Sequence, residues 1–237
     1  GVRPDRMAFT ALLHVCAAEA DLPRALQVWD EMNRAGIAPD TFAFNSLLHV
    51  CNRALDLDLA LKLTDGMQSR QLEPNDVTYS SLIDLCCRVN DFGRAHELLN
   101  EMKERGIAPT VITYTSLISA YGQAGDVERC FDVLALMAQE RVRPNQVTLA
   151  GLVQACLNAG DFRKAVQTLG DMKRRYGLAP SAYVLYHLIH KAGPNAKTTD
   201  LVPCVLCVVC VVCTDVAAHS SDCWRGLRRH RAYRWRL

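Results

Sequence analysis

Along the chain, apolar residues return at helical spacing in two blocks for every 35 residues, with a polar break between the blocks. The first blocks hold Phe9, Leu12, Leu13 and Cys16; Phe44, Leu47, Leu48 and Cys51; Tyr79, Leu82, Ile83 and Cys86; Tyr114, Leu117, Ile118 and Tyr121; and Leu149, Leu152, Val153 and Cys156. Each set is spaced i, i+3, i+4, i+7, which places it on one face of one helix. The second blocks repeat the device, as in Phe92, Ala95, Leu98, Leu99 and Met102, or Phe162, Ala165, Val166, Leu169 and Met172. The pattern predicts two amphipathic helices per unit.

The punctuation agrees. Asp21, Asp56, Asp91, Asp126 and Asp161 fall 35 residues apart, each just before a second helix. There a carboxylate accepts from orphan backbone N–H groups and meets the positive end of the helix dipole. Gly36, Gly106 and Gly177 follow the second helices, where a left-handed stop is easiest without a side chain, and a proline comes three residues later. Met32, Met67, Met102 and Met137 keep the same interval, as do Pro39, Pro74, Pro109 and Pro144.

Five complete units are predicted, at 6–40, 41–75, 76–110, 111–145 and 146–181, the last longer by one residue near Arg175 and Tyr176. Residues 1–5 read as the tail of an earlier unit and 182–193 as the start of a sixth. One helical hairpin cannot bury both of its apolar faces, so neighbouring hairpins must stack. The expected fold is an all-α, right-handed superhelical solenoid with a concave inner surface.

Composition changes this picture little. The net charge of +2 hides six Arg against two Asp in residues 201–237, which leaves 21 basic and 23 acidic residues in 1–200. Bulk charge therefore gives no support for a nucleic-acid partner, and any such claim rests on individual residues. Of the eleven cysteines, Cys16, Cys51, Cys86 and Cys156 occupy the same place in their units, as a small buried apolar residue would. No disulfide scaffold is expected, and no targeting segment is visible in this stretch of sequence.

At VTYSSLIDL, EMKERGIAPT, VITYTSLISAYGQAGD and TFAFNSLLHVC the sequence resembles the pentatricopeptide repeat family, RNA-binding α-solenoids of mitochondria and chloroplasts. The resemblance covers residues 1 to about 193. Uniform units of 35 or 36 residues resemble the P-type subclass. A tetratricopeptide reading would require 34-residue units and a W-x-x-L-G-x-x-Y core, which is absent.

After the aromatic place of each first helix come Thr10, Asn45, Ser80, Thr115 and Ala150, and each unit closes on Asp40, Asn75, Thr110, Asn145 or Ser181. Both series are small and mostly polar, and the second has the composition of helix N-caps. By the resemblance, the two places read the Watson–Crick edge of one base per unit. Met7, Phe42, Val77, Ile112 and Val147 would, by the same resemblance, wedge between successive bases; ordinary packing between units is the other reading. Arg53 and Arg88 lie in register near the ends of consecutive first helices, as solvated charges or as a short phosphate track.

The resemblance implies single-stranded RNA as partner, with other RNA-processing proteins as further partners, no cofactor, no small-molecule substrate, no membrane, and a mitochondrial or chloroplast site of action. No catalytic constellation appears, since His14 and His49 are equivalent positions rather than a converging pair. A protein-binding scaffold stays open because the array is near neutral. So does the repeat region of a larger enzyme such as protein-only RNase P. Residues 194–237 leave the pattern: Cys204, Cys207, Cys210 and Cys213 punctuate a Val-rich run too short to span a bilayer, and an Arg- and Trp-rich close follows.

Overall fold

A computed structural model describes residues 4–191, so the Val- and Cys-rich run and the Arg-rich close lie outside the described residues. Eleven helices and no strand are found among them. Of the two units into which the chain divides, the first, Gly1–Leu188, holds almost all of the described residues. The first unit is an all-α repeat superhelix of stacked hairpins.

The hairpins are α1 (Arg6–Glu19) with α2 (Leu22–Arg34), α3 (Thr41–Ala54) with α4 (Leu57–Ser69), α5 (Asp76–Arg88) with α6 (Phe92–Glu104), α7 (Val111–Ala124) with α8 (Val127–Gln139), and α9 (Gln146–Asn158) with α10 (Phe162–Tyr176); α11 covers Ala182–Lys191. The first helices pack in series, α1 on α3, α3 on α5, α5 on α7 and α7 on α9. Each second helix backs its own partner. The extra residue of the fifth hairpin is absorbed in α10, which runs 15 residues where α2, α4, α6 and α8 run 13.

The core is the repeated apolar set: Phe44, Leu47, Leu48 and Cys51, with their equivalents in the next three hairpins, are all at most 2% exposed. Leu12 is the exception at 42%, because no helix of the described chain packs on that face of α1. Burial raises the thiols of Cys51 to about 12 and of Cys86 to about 11, so neither is a nucleophile at neutral pH. They pack as small hydrophobes.

Asp21, Asp56, Asp91, Asp126 and Asp161 each accept from the backbone N–H three residues on, at 2.8–3.1 Å. A cap of this type is worth about 1 kcal/mol. Gly36, Gly106 and Gly177 take positive φ, and in the second and fourth hairpins Gln71 and Arg141 adopt the same conformation with side chains attached. A second left-handed series, Ala20, Leu55, Asn90, Gly125 and Gly160, turns the chain from first to second helix and has no uniform residue type.

Candidate nucleic-acid interface

Every first helix from α3 to α11 starts on a residue of the closing series. Asp40 accepts from Ala43 N–H at 2.9 Å, Asn75 from Thr78 N–H at 3.0 Å, Asn145 from Thr148 N–H at 2.9 Å and Ser181 from Val184 N–H at 3.4 Å. Thr110 completes its cap through Thr113, whose hydroxyl accepts from the Thr110 N–H at 3.2 Å. All five therefore cap helices.

Capping does not exhaust these groups. An Asn cap that accepts must present Oδ1 to the helix, which fixes the amide orientation and leaves Nδ2 as a donor. Asn145 Oδ1 also meets the Thr148 hydroxyl at 3.1 Å. In Asp40, Oδ1 caps while Oδ2 remains an acceptor, 4.0 Å from Arg6 Nη1. The same structural role thus offers a donor from Asn and an acceptor from Asp.

Two members of the small polar series, Asn45 and Ser80, meet these caps. Asn45 Nδ2 donates to Asn75 Oδ1 at 3.2 Å, and the Thr78 hydroxyl donates to Asn45 Oδ1 at 2.7 Å. Ser80 and Thr110 meet through Thr113, whose hydroxyl lies 2.8 Å from the first and 3.4 Å from the second. Thr10 and Thr115 instead turn their hydroxyl protons back to the helix, onto the carbonyl oxygens of Arg6 at 2.7 Å and Val111 at 2.8 Å. Ala150 has no polar group to place.

Met7, Phe42, Val77, Ile112 and Val147 are 80, 62, 50, 62 and 54% exposed. They do not fill the joints between hairpins. Single exposed hydrophobes are ordinary, but here the second residue of each of five successive first helices is left in solvent, each joint being closed by other residues. Tyr183, the second residue of α11, is 61% exposed and extends the row; the one-residue insertion in the fifth unit hid it from a strict 35-residue count.

A groove of 760 Å³ on α3, α5 and α7 gathers three kinds of predicted residue: Val77 and Ile112, Ser80 and Thr110, Arg53 and Arg88. Arg88 is not simply solvated. Its Nη1 donates to Asn52 at the side-chain Oδ1, 2.5 Å, and at the main-chain oxygen, 3.1 Å. Asn52 Nδ2 donates in turn to Asp84 and to the Ser81 carbonyl, at 2.9 and 3.0 Å, and the Ser116 hydroxyl donates to the other Asp84 oxygen at 2.7 Å. Sequence reasoning missed this network. Its trace was the polar residue eight places after each first-helix start, Asp84 among them, on the face opposite the apolar set.

Among the described residues no three His, Cys, Asp or Glu side chains gather as a metal site, and no helix is long and apolar enough to cross a membrane.

Fold and groove together define an α-helical repeat protein whose first helices carry capped polar pairs and a row of exposed apolar residues. The family model described as the pentacotripeptide-repeat region of PRORP matches residues 3–182. The chain belongs to this pentatricopeptide repeat family. Among solved structures it is similar to the pentatricopeptide repeat protein PPR10 from maize, at 23% identity over 97% of this chain and 35% of that one, with a TM-score of 0.71. It is also similar to PPR10 in complex with an 18-nucleotide psaJ RNA element, at 26% identity over 73% of this chain and 26% of that one, TM-score 0.67. The PPR domain of Arabidopsis thaliana protein-only RNase P 1, in complex with tRNA, matches at 22% identity over 80% of this chain and 99% of that domain, TM-score 0.64. The chain spans about a third of the maize protein's length. A search of curated proteins finds no significant match.

Proposed function

We propose that this chain binds single-stranded RNA sequence-selectively, one base per hairpin, and acts sterically on a mitochondrial or chloroplast transcript as a P-type member of its family. The observation that carries the reading is the exposed apolar row beside the capped polar pairs: apolar side chains give stacking surface for bases and the pairs give edge contacts. The RNA in the PPR10 complex and the tRNA in the protein-only RNase P 1 complex support the choice of partner. The uniform 35-residue spacing supports the subclass. No reaction is assigned to the repeats, and any catalysis belongs to a partner or to another part of a longer protein.

Guanine presents N–H donors where adenine presents an N1 acceptor and an N6 donor, so an acceptor-only carboxylate suits guanine and an amide donor suits adenine. Thr10 with Asp40 reads G. Asn45 with Asn75 prefers a pyrimidine, Ser80 with Thr110 a purine, and Thr115 with Asn145 reads A, while Ala150 with Ser181 reads nothing. With the chain running N to C along RNA 5′ to 3′, the core site is G, pyrimidine, purine, A, any base.

Asn145→Asp keeps the cap and replaces the Nδ2 donor with an acceptor. It should move the fourth position from A to G, a change worth about 1–3 kcal/mol by analogy with base-edge contacts. Affinities for RNAs differing only at that base decide the matter. An unchanged preference would make Asn145 a helix cap and nothing more, and no selectivity at any position would favour a protein-binding scaffold.

A further inference from the structure

Charge is not shared evenly along the array. Residues 6–145 hold 13 Lys or Arg against 19 Asp or Glu, whereas residues 146–181 hold five against two. The fifth hairpin is therefore the one with a positive balance, and three of its five cations, Lys173, Arg174 and Arg175, stand in the last turn of α10. The fourth hairpin adds to them. Arg143, in the loop after α8, donates from Nη2 to the main-chain oxygen of Tyr176 at 3.1 Å, which fixes its guanidinium against the end of α10. Arg141 lies two residues earlier, exposed and held at φ 59°, where the first and third hairpins place Gly36 and Gly106.

A helix C-terminus favours a cation, but within about one turn and for its own carbonyls. Arg143 already serves that role here. Arg141, Arg174 and Arg175 are exposed beyond it, and Asp171, bonded to Arg174 at 2.5 Å, is the acid just before that turn. The cluster also has a defined place relative to the base-reading pairs: Arg143 precedes Asn145 by two residues, and Arg175 precedes Ser181 by six.

We propose that Arg141, Arg143, Lys173, Arg174 and Arg175 form a sequence-blind clamp for the phosphate backbone of RNA from the fourth pair, Thr115 with Asn145, onward in the 3′ direction. The proposal rests on the single-stranded RNA reading for its ligand and direction. Guanidinium forks match phosphate oxygens bidentately, and each phosphate neutralised releases counterions, so such a clamp adds affinity without adding sequence preference. It also answers a difficulty of that reading: four acidic hairpins repel a polyanion, and a positive anchor at one end offsets this where the strand leaves the pairs.

The test uses the chain with Arg141→Gln, Arg174→Gln and Arg175→Gln combined, leaving Arg143 to keep its bond to Tyr176. Gln at 141 copies Gln71, which already holds the same left-handed place in the second hairpin. Two RNAs carry the core site, one with an unstructured flank on its 3′ side and one with the same flank on its 5′ side. The 3′ flank should raise affinity for the wild type and not for the variant, and the variant's slope of log affinity against log salt should be shallower by about 2 on the 3′-flanked RNA only. Equal gain from both flanks, or a gain that survives in the variant, overturns the clamp. If neither RNA is preferred over a scrambled strand while the wild type still outbinds the variant on it, the base-reading proposal fails and the clamp stands.

Discussion

The joint between α3 and α5 and the joint between α7 and α9 use the same two places, the twelfth residue of one first helix and the sixth of the next, and solve them in opposite ways. At α3–α5 the pair is Asn52 and Ser81: the Asn side chain fills the gap and donates to the Ser81 carbonyl at 3.0 Å. At α7–α9 it is Gly122 and Gly151, and a Cβ built on Gly122 would stand 2.6 Å from the Gly151 carbonyl oxygen. The helices there approach so closely that no side chain fits. Asn158 closes that joint from outside, donating to the Gly122 and Gln123 carbonyls at 2.8 and 3.2 Å. A repeat array can thus keep its register while its joints change from a polar bridge, open to the groove, to direct backbone contact. The groove with Arg53 and Arg88 lies over the bridged joint and is lined there by the polar side chains of Asn52, Ser81 and Asp84.

The largest expected effect breaks the close joint. Gly122→Ala places a methyl against backbone rather than against a side chain that can rotate away, so the helices must separate. We expect a loss of about 3 kcal/mol in denaturant unfolding, at the upper end for an overpacked core. Gly151→Ala should cost less, because its nearest neighbour is the Ile118 Cγ2 at 2.8 Å, a side-chain atom. Gly170→Ala, in α10 with nothing within 4 Å, should stabilise by about 0.5–1 kcal/mol through helix propensity alone. Equal behaviour of Gly122→Ala and Gly170→Ala would show that the close joint is not a constraint.

The bridged joint should give way more gently. Asn52→Ala removes one bond each from the Ser81 carbonyl, one Asp84 oxygen and Arg88 Nη1, but Arg88 keeps its bond to the main-chain oxygen of residue 52, and Asp84 and Arg88 keep access to water. A cost of about 1–2 kcal/mol is expected. Asn52→Ala combined with Asp84→Ala should cost less than the two single changes added, since they share one network. Strict additivity in that cycle would mean the three-hairpin network carries no coupling.

Hairpins, their order and their second-helix caps were legible because burial and capping demand the same residue types in every unit. Exposure of Phe42 or Ile112 was not, since periodicity places a residue on a helix without saying whether the next hairpin covers it. The joint pairs were harder still: the twelfth place reads Ala17, Asn52, Cys87, Gly122 and Leu157, a series whose meaning depends on how near the next helix comes. Left-handed turns at Ala20, Leu55 and Asn90 carry no glycine to announce them. For the candidate site, residue type identified both polar series, but the caps' fixed amide orientation and Asn52's hold on Arg88 belong to the folded array.

Between the two joints lies a third contact, and it yields the smallest predicted effect. His96 of α6 meets the Tyr121 hydroxyl of α7 at 2.6 Å through Nε2, with Phe92 stacked on the Tyr121 ring at 4.7 Å and the Arg129 guanidinium 5.6 Å over its face. Burial, and then the charge of Arg129, hold the His96 imidazole below its ordinary 6.5. The unfolded chain therefore takes up a proton at this residue before the folded one does, so stability is full above 6.5 and declines as pH falls through it toward the lower folded value. His96→Gln keeps a donor for Tyr121 and removes the titration. Melting temperatures followed from about pH 7.5 down to about 5.5 should fall more steeply for the wild type than for the variant, with the other histidines common to both. Parallel curves would mean that His96 titrates alike in the folded and unfolded chain, and that this contact, unlike the glycine joint, leaves its residues open to solvent.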